Sequence, residues 1–86
     1  MDANLKVIAV YDNGGESLDR YTIVTNERYK SRVNPNRYMY NAISSSDNGY
    51  GVFMWTECLR GKHLGKKIQL SDLSEELQNK IKYALK

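Results

Sequence analysis

Asp12, Asp19 and Arg20, all within the stretch YDNGGESLDRYT at 11–22, could meet the single histidine, His63, to form a polar site. A carboxylate, a fixed cation and an imidazole that titrates near neutrality are the parts of a general acid–base centre. The same residues have a simpler use. Asp12, Asn13, Gly14 and Gly15 are suited to a tight turn, and Asp19 and Arg20 to an exposed ion pair on a hairpin, a contact worth about 0 to 1 kcal/mol. The hairpin is the expectation, and no catalytic residue is assigned.

Cys58 and His63 would make a nucleophile and base only if the fold brought them together beside an oxyanion-stabilising group, which spacing alone does not supply. Cys58 reads instead as a small buried hydrophobe on an aromatic strand. With one cysteine and one histidine the chain lacks the ligand set of a structural zinc site, and no metal or cofactor is expected. GKHLGKK at 61–67 has glycines and lysines in the manner of a phosphate-binding loop. Its glycine spacing is one residue short, Lys67 stands where Ser or Thr is needed, and a strand is expected to follow, so nucleotide hydrolysis is rejected.

Basic residues offer a different chemistry. The net charge is only +3, but Arg28, Lys30, Arg32 and Arg37 occupy a stretch without an acid, and Arg60, Lys62, Lys66 and Lys67 occupy another. These eight are the candidate macromolecule-binding residues. They would contact phosphates while Tyr29, Tyr38, Tyr40 or Tyr50 stack on bases. The bland alternatives are a solvated charge run and tyrosine rings, Tyr38 and Tyr40 foremost, buried with their hydroxyls exposed.

The elements that must position these residues follow from the apolar pattern. NLKVIAVYD is a strand with both faces largely apolar, hence well inside a sheet; DNGG turns the chain, and DRYTIVTNE returns as the second strand of a hairpin. Residues 26–37, polar and interrupted by NPN, are expected to form a long surface loop. RYMYNAI is a third strand, SSSDNGYG a turn, and VFMWTECL a fourth strand with most of the bulky core candidates: Val52, Phe53, Met54, Trp55 and Leu59. KKIQL adds a short fifth strand whose lysines discourage extension of the sheet edge. SDLSEELQNKIKYALK is a helix, with Leu73, Leu77, Ile81, Ala84 and Leu85 at helical spacing and Ser71 or Ser74 as its cap. The expected fold is α+β: an antiparallel sheet of four to five strands with one C-terminal helix on one face, in a single domain spanning 1–86.

VIAVYDNGG, DRYTIV and HLGKKIQLSDLSEEL together resemble a family of short, uncharacterised phage and bacterial proteins that join a YDNGG…DRYT hairpin to an HLGK, strand and helix ending. The resemblance spans about half the chain and leaves out GYGVFMWTECLRG. It implies a phage or mobile-element setting and no reaction.

The sequence therefore points first to a small non-catalytic interaction protein, a modulator or inhibitor of a host protein or nucleoprotein complex. RNA or single-stranded nucleic-acid binding is the second reading and a small enzyme the third. A cytoplasmic location in a bacterial host is expected, without membrane contact, since no apolar run is long enough to span a bilayer. An exposed sheet edge would allow a homodimer.

Overall fold

The computed structural model describes residues 5–86. The expected start of the first strand at Asn4, and the first four residues of the 1–86 domain, lie outside the described residues. Strand β1 (Val7–Asp12) turns through DNGG into β2 (Tyr21–Lys30), followed by β3 (Tyr38–Ser45) and β4 (Phe53–Cys58). After a short 3-10 turn at Lys62–Leu64, β5 (Lys66–Ile68) leads to helix α1 (Glu75–Ala84). The sheet is wholly antiparallel in the order β4-β3-β2-β1-β5. This is the expected α+β arrangement, with β1 interior and β5 at an edge.

One face of the sheet carries the main core. Val10, Ile23 and Ile43 pack against Leu73, Leu77 and Ile81, with Phe53, Ile68 and Leu70 around them. Each fully buried Ile or Leu contributes about 1.5 to 3 kcal/mol, which is what holds α1 to the sheet. Ser74, rather than Ser71, caps the helix: its hydroxyl accepts from the Leu77 N–H at 3.2 Å. Glu75 and Glu76 lie in the first turn and Lys82 in the last, so charge opposes the helix dipole at both ends.

Two irregularities set the side-chain directions. Val7 pairs with Thr25 and Ala9 with Val24, so β1 holds one extra residue. The alternation changes phase there, and Val7 joins Val10 on the helix side. In β2, Val24 pairs with Ala42 and Arg28 with Tyr40, an excess of two residues that leaves the alternation in phase. Thr25 Oγ1 donates to the Asn41 carbonyl at 2.7 Å, the Glu27 N–H donates to Thr25 Oγ1 at 3.3 Å, and the Asn41 amide meets Glu27. Arg28 and Lys30 therefore continue the side on which Val24 lies.

Two expectations are corrected. Residues 26–30 are strand, not loop, because pairing with β3 resumes past the bulge; the connection is only Ser31–Arg37. That ribbon is exposed on both sides, so no apolar alternation marks it. Of the proposed β4 core, Phe53 packs under α1, but Met54 is 59% exposed and Trp55 46%. β4 is the outermost strand, and Trp55 lies on the helix side without being buried by it. Among the described residues no helix is long and apolar enough to cross a membrane.

Candidate functional site

The opening stretch is a structural hairpin. Gly14 and Gly15 take positive φ, and Asp12 Oδ1 and Asn13 Oδ1 accept the backbone N–H groups of Gly14 and Gly15 at 2.7 and 2.8 Å. Arg20 does not pair with Asp19. Its guanidinium grips Asp12 at 2.8 and 3.1 Å and reaches Asp47, in the β3–β4 turn, at 3.4 Å, while Asp19 takes the Ser17 hydroxyl. The strand across the hairpin, not the next residue in sequence, supplies the partner. His63 is exposed in the 3-10 turn, and no hydrogen bond joins it to Asp12, Asp19 or Arg20 among the described residues. Of the four residues proposed as a polar site, Asp12 and Arg20 form a clamp that reaches the second turn at Asp47, while Asp19 and His63 stand apart from it.

The Arg20 guanidinium holds the Asp12 carboxyl below its ordinary value of 3.8, with help from the Gly14 N–H and Lys66. A depressed acid stabilises the fold above its unfolded pKa, and the contribution is lost as pH falls through the folded value. Asp12→Asn is therefore expected to melt below the wild type at about pH 5, and the two melting temperatures to converge towards about pH 2. Thermal melts across that range check it; a gap independent of pH would show that charge at Asp12 is irrelevant.

Cys58 is buried, as expected, and burial pushes its thiol up, away from the reactive thiolate. GKHLGKK holds the 3-10 turn and leads into β5, so no helix start follows it. A concavity of about 500 Å³ near the β2–β3 tip is lined by Tyr29, Arg32, Met39 and Glu57 among others. Ser31 and Glu57 both line it, but the Ser31 hydroxyl oxygen accepts from the Val33 and Asn34 N–H groups, no hydrogen bond joins it to Glu57 among the described residues, and Glu57 is the one carboxylate of the lining. Among the described residues no three His, Cys, Asp or Glu side chains converge.

The side of the sheet away from α1 holds a second, smaller cluster: Ala9, Tyr11, Val24, Ala42 and Cys58, with Tyr40 and Leu64 packed on it. Over this cluster cations and tyrosines alternate in one unbroken series. Lys67 lies across from Tyr11 in the β1–β5 ladder. The Arg60 Nε donates to the Tyr11 hydroxyl at 3.4 Å, and its guanidinium sits 5.7 Å from the Tyr40 ring. Tyr40 pairs with Arg28, Arg28 lies 4.4 Å over the Tyr38 ring, and Tyr38 pairs with Lys30. The series Lys67, Tyr11, Arg60, Tyr40, Arg28, Tyr38, Lys30 crosses four strands and the loop after β4.

Among the described residues, the strand positions around the series carry no acid, and none of its four cations is ion-paired with a carboxylate. Phenolic partners, Tyr11 first and Tyr40 with it, raise the Arg60 pKa without neutralising its charge. A guanidinium stacked on a tyrosine keeps its edge donors free for an anion and is held by the ring at small entropic cost.

The structure divides the eight basic candidates. Arg28, Lys30, Arg60 and Lys67 belong to the series. Lys66 faces the helix side, across from Asp12. Arg32 lines the concavity by Glu57, Arg37 is in the tip connection, and Lys62 is exposed in the 3-10 turn. Of the proposed stacking tyrosines, Tyr38 and Tyr40 are in the series, with Tyr38 39% exposed. Tyr29 and Tyr50 are not: their hydroxyls meet Glu57 and Glu76, which push both phenols up. Tyr11, read from sequence only as a strand residue, is the member missed. No local pattern marks it, because the pairing of Tyr11 with Lys67 is set by the register of β1 against β5. Comparison of the chain with protein-family models, with curated proteins and with solved structures finds no match.

Proposed function

We infer that the protein binds single-stranded nucleic acid on the sheet side away from α1. What supports this reading is the series of four cations from Lys67 to Lys30 on one side of the sheet, held by the buried Tyr11, the half-buried Tyr40 and the more exposed Tyr38, with no acid at the strand positions among the described residues. A strand's phosphates would contact the four cations, and a base would stack on the exposed part of the Tyr38 ring. Single strands suit the surface better than a duplex, because it has no helix or ribbon shaped to enter a groove and stacking on the Tyr38 ring needs an unpaired base.

This reading moves ahead of the host-complex modulator suggested by the phage-like sequence pattern. That reading is retained as a second proposal, since the exposed Met54 and Trp55 offer a protein a place to dock. A pull-down treated with nuclease separates the two: a retained protein partner supports the modulator, and recovery abolished by nuclease supports nucleic-acid binding.

The direct test is fluorescence anisotropy with labelled single strands of about 12 nucleotides, within the range of site sizes such surfaces occupy. Four phosphate contacts give an expected slope of about −3 for log Kobs against log salt. Arg28→Ala should weaken binding and flatten the slope by about 0.7. Lys67→Glu should weaken binding far more than Lys66→Glu, although the two residues are adjacent and carry the same charge. Equal effects of the two reversals, or a salt-independent affinity, would overturn the assignment.

A further inference from the structure

The two edges of the sheet are built differently. β5 is three residues long and has two lysines, which oppose edge-to-edge pairing. β4 runs six residues in regular register with β3, without bulge, proline or lysine, and its outer side pairs with no strand among the described residues. Trp55, 46% exposed, and Met54, 59% exposed, stand on its two faces. A regular, unpaired edge with exposed large apolar side chains and a single charge, Glu57, is a template for a strand that answers that charge.

We propose that β4 pairs with β4 of a second copy of this chain, antiparallel and centred on Trp55, to form a two-fold symmetric dimer with a ten-stranded sheet. The proposal goes beyond nucleic-acid binding and does not depend on it. An isologous antiparallel pair must be centred on one residue, because residues directly opposite share a face. Centring on Trp55 sets Trp55 against its own copy, Met54 against Thr56, and Phe53 against Glu57.

Charge selects this register. Glu57 is the single charged residue of β4 and shares the helix side with Phe53, four positions earlier. Lys80 of α1 holds its Nζ 5.2 Å from the Phe53 ring centroid. One of its N–H groups goes to the Gly49 carbonyl at 2.8 Å, and Lys80 has no carboxylate partner among the described residues. Opposite Phe53 of the second copy, Glu57 therefore comes beside that copy's Lys80, and symmetry makes the pair twice. Centring on Thr56 would set Glu57 against Trp55; centring on Glu57 would oppose two carboxylates. Because the two-fold axis stands perpendicular to the sheet, both cation–tyrosine series would lie on the same side, joined into one longer surface.

Sedimentation equilibrium without nucleic acid tests the dimer. The wild type should approach twice the 9.9 kDa chain mass as concentration rises to about 0.5 mM, a regime suited to a weak, small interface. Glu57→Lys or Lys80→Glu, each alone, opposes like charges at both contacts and should raise the dissociation constant by roughly tenfold or more. An equimolar mixture of these two chains should associate as well as the wild type, since the heterodimer recovers both pairs. Trp55→Lys, at a surface position, should leave the thermal melt near that of the wild type and yield only the single-chain mass. A wild type that stays at the single-chain mass at about 1 mM, or a mixture no more associated than its components, overturns the proposal; so does a Trp55→Lys chain that still dimerises.

Discussion

Gly65→Ala is expected to lower the melting temperature by roughly 12 to 24 °C, the consequence of about 3 kcal/mol lost from a domain of this size. Gly65 lies between the 3-10 turn and β5, with φ of +107°. A Cβ placed there would stand 2.3 Å from the Asp12 carbonyl oxygen, 2.6 Å from its carbon and 2.7 Å from the Asn13 Cα. All three are backbone atoms of the β1 end and its turn, which cannot rotate away as a side chain can. Relief requires β5 to move off β1, breaking the ladder that sets Lys67 across from Tyr11.

Gly14→Ala is the control. Gly14 also has positive φ, +80°, but nothing lies within 4 Å of its Cβ position. Its cost is the left-handed backbone penalty alone, about 1 to 2 kcal/mol. Differential scanning calorimetry compares the two, and equal losses would show that the approach of Gly65 to Asp12 carries no energetic weight. Gly65→Ala should further weaken the proposed nucleic-acid binding at a temperature where the chain is still folded, because Lys67 leaves its place.

Leu77→Ala is expected to cost about 2 to 5 kcal/mol, the range for a fully buried Leu whose cavity refills only in part. Leu77 has no exposed surface and lies within the cluster of Val10, Ile23, Ile43, Leu73 and Ile81. It also approaches the β3–β4 turn, where its Cδ1 would lie 3.3 Å from a Cβ at Gly49. Truncation removes packing from the helix, the central strands and that turn together. Tyr83→Ala on the same helix, 77% exposed, should change stability by no more than about 0.5 kcal/mol. Urea unfolding midpoints check the contrast; similar midpoints for the two variants would mean that α1 contributes little to the core.

Alternation and helical spacing were enough to read β1, the first half of β2, β3 and α1, because each buries a periodic apolar face; β4 was read from its bulky residues and the three-residue β5 from a short run with two lysines. Leu73, Leu77 and Ile81 reach the core that their spacing implies. The second half of β2 carried no such signal: Glu27 to Lys30 are exposed, and their pairing with β3 depends on a bulge held by Thr25 and Asn41. Trp55 and Met54 were assigned to the core from side-chain type. Their exposure follows from the position of β4 at the end of the sheet order, which no local pattern encodes.

The candidate site divides the same way. By itself the sequence determined that the chain has two basic stretches without acid, tyrosines within the first of them, and turn residues at Asp12–Gly15 and Asp47–Gly49. Those properties belong to residue types and short spacings. Only the tertiary structure decided which of eight cations share a surface, because strand alternation sends Lys66 and Lys67 to opposite sides and ladder register sets Arg28 beside Tyr40. It likewise decided that Arg20 answers Asp12 rather than Asp19, and that Arg60 folds back over Tyr11 and Tyr40. Tyr11 and Arg60 are 49 positions apart in the chain. Contacts at that separation are set by how strands are ordered and registered, a cooperative outcome of packing the whole domain.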